Sequence, residues 1–131
     1  MKALALDFGR ARTGVAVSDP TGTIARPLCV VEKASTGDGL ARLAALISEH
    51  EVDRVVVGLP LTLRGDRGEQ ALETERFIEA LGDVTNVPVV AFDERFTTDL
   101  AEQTPSDTPE DARAAAHLLS GYLAWAGSAR A

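Results

Sequence analysis

The sequence predicts an α/β fold, a five-stranded mixed sheet in which a three-strand antiparallel meander is extended by parallel strands and flanked by helices. Three observations predict it. Strand-length apolar runs separated by short turns crowd the first third of the 131 residues. The run Val55-Val56-Val57 is β-branched and apolar on both faces, as a central parallel strand is. From there on, strand-like runs alternate with stretches of helical spacing.

The elements follow in order. Ala3 to Phe8 is a short apolar run, Arg10 to Thr13 a polar turn, and Gly14 to Ser18 resumes a strand. Asp19-Pro20-Thr21-Gly22 makes a second turn before a third strand, Thr23 to Glu32. Turns this close together imply antiparallel pairing. Gly37 to Gly39 break the chain, and Leu40, Leu43, Ala44 and Ile47 then share one face of an amphipathic helix. Asp53 to Leu59 is the fourth strand. Asp66 and Glu69 have the spacing of a capping box for a helix running to about Leu81. Val87 to Phe92 is the fifth strand, and Thr108-Pro109 sets an N-cap and first position for the last helix. In that helix Ala112, Ala115, Ala116, Leu119, Tyr122, Leu123 and Ala126 keep the spacing of a face packed on the sheet. Length and the lack of a linker or repeat make residues 1–131 one expected domain.

Composition is globular, 45% hydrophobic and 25% charged. The 20 Asp and Glu against 13 Lys and Arg give a net charge of -7, which excludes a basic protein that coats nucleic acid or acidic membrane through its bulk surface. A local phosphate site is compatible with that charge, because all the bases except Lys2 and Lys33 are Arg. The single cysteine, Cys29, excludes an internal disulfide and an all-Cys zinc site, and its apolar neighbours suit a buried small hydrophobe. With no apolar run near 18 residues and no signal-peptide pattern at Met1, the expected location is the cytoplasm, without membrane contact.

Three places among the acids carry chemical interest. Asp7 ends an apolar strand, where an uncompensated buried charge costs several kcal/mol. Asp93 and Glu94 end the fifth strand. Asp111 lies in the first turn of the last helix and shares a face with Ala115, Leu118 and Tyr122, so it should overhang the sheet. If the first and fourth strands are parallel neighbours, their carboxyl ends meet at the edge where open α/β sheets bind ligands. Acids gathered there raise one another's pKa unless a cation neutralises them, and oxygen-only donors favour magnesium or manganese. Two such ions suit phosphodiester hydrolysis.

At this point the sequence resembles a known family. Leu6-Asp7-Phe8-Gly9-Arg10-Ala11-Arg12-Thr13-Gly14-Val15-Ala16-Val17-Ser18-Asp19, then Val56 to Leu61 (VVGLPL), then Asp93-Glu94-Arg95-Phe96-Thr97-Thr98, resemble in order the signature blocks of the YqgF (RuvX-type) family. The stretch Asp111 to Leu123 is similar to its final helix. The resemblance implies a ribonuclease H-like fold and a Holliday-junction-resolvase-like protein, a nuclease maturing the 5' end of pre-16S rRNA. It implies that Asp7, Glu94 and Asp111 are catalytic and hold Mg2+ or Mn2+ as a two-metal site, with Asp93 as an additional ligand. Branched DNA is a further substrate class it implies, for a monomer or homodimer. Gly9 would let substrate approach the backbone, and Arg10, Arg12, Arg64, Arg67 and Arg95, in or beside the motif loops, would contact phosphates.

One stretch departs from the family pattern. Members usually carry a longer segment with several bases before the last helix, whereas Thr98 to Asp111 holds five acids and no Lys or Arg. That weakens polyanion binding beside the site and leaves a noncatalytic nucleic-acid or ribosome-assembly module as the alternative. The Asp-x-Gly-x-x-x-x-Gly spacing from Asp7 to Gly14 also resembles the first phosphate loop of sugar kinases and actin-like ATPases, but those need a second lobe that 131 residues do not supply. His50 is expected at the end of the first helix, His117 on the surface of the last, and Trp125 in late core packing.

Overall fold

The computed structural model describes residues 2–60, 68–93 and 110–130, with side chains in the last helix as far as residue 126. Eight elements follow one another in these residues: β1 (Ala3–Asp7), β2 (Arg12–Ser18), β3 (Ala25–Glu32), α1 (Gly37–Glu49), β4 (Arg54–Leu59), α2 (Glu69–Gly82), β5 (Val89–Asp93) and α3 (Glu110–Arg130). The strands form one sheet in the order β3-β2-β1-β4-β5. β1, β2 and β3 are the antiparallel meander, while β4 lies parallel to β1 and β5 parallel to β4. The expected α/β architecture therefore holds, including the β1–β4 adjacency. The carboxyl ends of β1, β4 and β5 share one edge of the sheet.

Side-chain alternation divides the core into two layers. Leu4, Leu6, Val15, Val17, Val55 and Val57 point to one face, where Leu43, Leu46 and Ile47 of α1 and Phe77 and Leu81 of α2 cover them. Ala3, Ala5, Ala16, Val56 and Phe92 point to the other, under Ala115, Leu118, Leu119 and Tyr122 of α3. Polar groups tie the far end of the sheet. The Ala3 amide donates to Ser18 Oγ at 2.8 Å, and Arg54 Nη1 donates to the Tyr122 hydroxyl at 2.8 Å.

Several boundaries differ from expectation for identifiable reasons. β3 starts at Ala25 rather than Thr23 because Asp19 Oδ1 accepts the Thr23 and Ile24 amides, each at 2.8 Å, and holds both in the turn. β5 starts at Val89, after Pro88, which has no amide proton for a ladder; its carbonyl accepts from Val55 N–H at 2.9 Å. Pro27 is tolerated in β3 because that strand is an edge, and the register shifts beside it, between Val15 and Ala16 on β2. The glycines at 37 and 39 open α1 instead of preceding it: Thr36 is the N-cap, its Oγ accepting from Gly39 N–H. A Cβ on Gly39 would meet the Lys33 carbonyl oxygen at 2.3 Å, so this first turn packs on the preceding loop. The N-cap of α2 is Gly68, without a side-chain cap, and Asp66 of the expected capping box lies outside the described residues. The expected Thr108 cap of α3 lies outside the described residues.

Three side chains chosen in the sequence also find their places. His50 is the C-cap of α1, its amide donating to the Leu46 carbonyl. Cys29 is half-buried against the α1 and α2 layer, and that burial pushes its thiol pKa up. Trp125 is not core: it is 54% exposed, resting on Phe92 and Tyr122 with ring centroids 5.8 and 5.9 Å away. Among the described residues no helix is long and apolar enough to cross a membrane.

Candidate nuclease site at the carboxyl edge of the sheet

β1 delivers Asp7 to the edge. The strand reads Ala-Leu-Ala-Leu-Asp, so alternation puts Asp7 on the same face as Ala3 and Ala5, the face α3 covers. Asp7 is the last residue of the strand and half-buried, which leaves its carboxylate at the boundary between core and solvent.

Gly14 joins Asp7 to the last helix. In the β1–β2 ladder Asp7 is paired with Gly14, and opposite Cα atoms in such a pair are about 4.5 to 5.5 Å apart. A Cβ built on Gly14 would stand 1.8 Å from the Asp111 carbonyl oxygen and 3.0 Å from the Ala112 nitrogen. The first turn of α3 thus lies directly on the β2 backbone, and no side chain other than hydrogen fits between. Asp7 and Asp111, 104 positions apart in the sequence, come to adjacent places because Gly14 touches both. The sequence marks this glycine only as the end of the Asp7 to Gly14 spacing, not as the contact of the last helix. The signal was present: a glycine amid strand-forming residues, Thr13-Gly14-Val15-Ala16-Val17, marks a close backbone approach.

Arg12 and Arg10 leave the β1–β2 turn in different directions. Arg12 Nε lies 3.3 Å from Asp111 Oδ2, with both side chains open to solvent. Arg10 reaches α2, where its Nε donates to Glu73 Oε2 at 2.8 Å and its Nη2 meets Oε1, with Glu69 4.0 Å away. The fork on Glu73 raises the Arg10 pKa and lowers that of Glu73. Gly9 has a structural duty of its own: a Cβ there would stand 2.5 Å from the Arg12 carbonyl oxygen, so the turn itself closes onto the glycine.

The other chosen residues fall elsewhere. Asp93 pairs in register with Leu59 of β4, two strands from β1, about 10 Å across the sheet. It alternates with Phe92, which faces α3, so it lies on the α2 side. This placement speaks against Asp93 as a ligand shared with Asp7. Glu94, Arg64, Arg67 and Arg95 lie outside the described residues. Among the described residues no three His, Cys, Asp or Glu side chains gather to hold a metal ion; of the three expected acids that lie among them, Asp7 and Asp111 are the two on the α3 side. As a donor set they fit a hard divalent cation, being carboxylate oxygens at a partly solvated sheet edge, with the Asp111 side chain 39% exposed. His117 is half-buried on α3, and no site geometry involves it.

Comparisons with known proteins bear on the family and the fold. The family model described as "RuvX: Holliday junction resolvase" matches residues 1–124. A relative from Chloroflexus aggregans named "Putative pre-16S rRNA nuclease" is 44% identical over 129 residues, covering 92% of this chain and 91% of its own. A relative of the same name from Anaeromyxobacter sp. is 42% identical over 132 residues, covering 94% and 96%. Among solved structures, T. thermophilus RuvC in complex with Holliday junction substrate superposes with a TM-score of 0.63 at 19% identity, over 98% of this chain and 97% of that one. The fowlpox virus Holliday junction resolvase gives 0.56 at 13% identity, over 95% and 99%. These two likenesses identify the ribonuclease H-like fold. The model match and the relatives together place the chain in the RuvX (YqgF) family of Holliday-junction-resolvase-like proteins.

Proposed function

We propose that this chain is one metal-dependent nuclease domain that hydrolyses phosphodiester bonds in 5'-end maturation of pre-16S rRNA in the cytoplasm, with branched DNA as a second substrate class. The observation that carries the reading is the contact of Gly14 with the start of α3, which seats Asp111 beside Asp7 at the carboxyl edge of β1. The names of the relatives support the same activity. Asp7 and Asp111 would hold Mg2+ or Mn2+, with Glu94 as the third acid on the strength of the sequence motif alone. When bound, a pair of such ions supplies an activated water and a Lewis acid for the leaving oxygen.

The chain's own residues do the rest. Asp7, fixed by the β1–β2 ladder, gives the site a rigid point, and Asp111 is placed by a helix rather than a loop. Arg12 pairs with Asp111 and would contact an arriving substrate phosphate; a guanidinium suits either oxyanion. The test is a cleavage screen of wild type and Asp7→Ala on ribosomal RNA precursor, single-stranded RNA, duplex DNA and a four-way junction, with magnesium and with manganese. Even indirect partners of metal ligands cost roughly 10- to 100-fold when removed, so losing Asp7 should cost at least about 100-fold, with binding largely kept. Equal cleavage in chelator or by the variant would overturn the reading. Binding without turnover in any divalent metal would instead favour the assembly module.

A further inference from the structure

On the other side of the sheet edge from Asp7 and Asp111, a groove of about 380 Å³ separates the β1–β2 turn from α2. Its floor is apolar: Phe8 stacks on Phe77 with ring centroids 4.3 Å apart and planes inclined by 15°. Its rim is polar, carrying Arg10, Ser35, Glu73 and Arg76. Glu73 shares this rim with both arginines. Arg10 grips it with a two-nitrogen fork, and the charge of Arg76 also acts on it. This is how guanidinium groups hold a phosphate, with a carboxylate in the phosphate's position. Arg10 and Arg76 are exposed, so the pair is weakly held and open to exchange. Phe8 directly follows Asp7 and faces the opposite side, so a strand lying over the acids reaches the groove by crossing one strand end.

We propose that this groove is a second nucleic-acid subsite, in which Arg10 and Arg76 bind a backbone phosphate of a single-stranded segment leaving the acids, and Glu73 occupies that phosphate's place until the strand arrives. The proposal rests on the nuclease reading above. An unstacked nucleotide matches the groove: the apolar floor takes the flat face of a sugar or base, the rim takes the charge. Glu73 then raises selectivity, because a ligand must offer a better oxyanion than the carboxylate it displaces.

The experiment measures binding of the full chain to a single-stranded RNA oligomer in chelator by fluorescence anisotropy across a salt series, with cleavage in magnesium and manganese followed on the same preparations. Arg76→Ala should weaken binding about three- to tenfold and reduce the slope of log affinity against log salt by about 0.7, one phosphate contact on a single strand. Glu73→Gln should tighten binding about threefold or more by releasing Arg10. Glu79→Gln makes the same charge change at an exposed position of α2 and should tighten it far less. In an Arg10→Ala background Glu73→Gln should gain nothing, as a double-mutant cycle requires of coupled residues. The inference is overturned if Arg76→Ala keeps the wild-type affinity and salt slope, or if Glu73→Gln gains no more than Glu79→Gln, in a protein that cleaves. A wild type that neither binds nor cleaves overturns the nuclease reading, and the inference with it.

Discussion

The two faces of the sheet are built from the same strands and serve different ends. In β1 the even positions, Leu4 and Leu6, are large and the odd positions, Ala3 and Ala5, are small. The large side chains meet α1 and α2 in a layer that includes Val15, Val17, Val55, Val57 and Phe77, an ordinary aliphatic core that fixes the fold. The small ones meet α3, and with Gly14 and Ala16 on β2 they let that helix lie on the sheet backbone. Closeness is what the second face supplies. A helix held off by leucines would carry Asp111 away from the sheet, whereas one lying on alanine and glycine brings the backbone at Asp111 onto Gly14, the ladder partner of Asp7.

The strongest way to break this contrast is Gly14→Ala. Its new methyl would stand 1.8 Å from the Asp111 carbonyl oxygen, which belongs to backbone, so the start of α3 must move. Overpacking of this kind costs about 1 to 3 kcal/mol, and the displacement of Asp111 should lower cleavage more than stability. Thermal unfolding and a cleavage assay on the same variant check this; a variant with wild-type cleavage would show that the close approach does not set the site.

Next in its effect on cleavage is a matched pair on β1. Leu6→Ala removes a fully buried side chain from the large face and should cost about 2 to 5 kcal/mol with the catalytic geometry kept. Ala5→Val, on the opposite face, adds volume under α3 and should cost about 1 to 3 kcal/mol while reducing cleavage. Stability lost without activity on one face, and activity lost beyond stability on the other, is the expected pattern under conditions where both variants remain folded. Equal behaviour would mean that the faces are interchangeable.

Much of this could be read in the chain. Turn residues at Asp19 to Gly22 and the β-branched Val55-Val56-Val57 run led to the strand order, and the helical spacing of Ala112, Ala115, Leu119 and Tyr122 gave the packed face of α3. Asp7 at a strand end and Asp111 in the first turn of the last helix stand out by position, and the structure puts the backbone of both against Gly14. What was hidden was the inequality of the faces. Alanine and leucine both count as apolar, so Ala3-Leu4-Ala5-Leu6 reads as a uniform run, and only the three-dimensional partner shows that one set sits under α3. The start of α2 at Gly68 carries no mark in the sequence, because a glycine N-cap offers no side chain for a capping pattern to show. Trp125 was taken for core because helical periodicity carries an apolar stripe past the point where the sheet ends.

A smaller effect separates the two edges along the strand direction. Thr13 is fully buried on the large face, and its hydroxyl has no hydrogen-bond partner among the described residues. Replacing it with the isosteric valine removes a desolvated polar atom and should leave stability unchanged or raise it by up to about 1 kcal/mol. A clear loss of stability, read from the denaturant midpoint, would mean that the hydroxyl is satisfied in solution; a loss of cleavage alone would give Thr13 a place in the site next to Gly14.

The smallest effect belongs to an aspartate at the opposite edge from Asp7. Asp19 follows the last residue of β2, and its carboxylate is consumed by its own turn, accepting from the Thr23 and Ile24 amides and the Thr21 hydroxyl. The Ile24 amide, then the Thr21 hydroxyl, push its pKa well below the usual carboxylate range. A group whose pKa is lower in the folded than in the unfolded chain stabilises the fold above the unfolded value, about 3.9, and that contribution is lost as pH falls through the folded value. The wild type should therefore lose stability between about pH 5 and pH 2 more steeply than Asp19→Asn, which is less stable at pH 7 and has no such carboxylate to protonate. Unfolding curves collected across this range read the difference in slope. Parallel curves would mean that the turn at the far edge gains nothing from its charge.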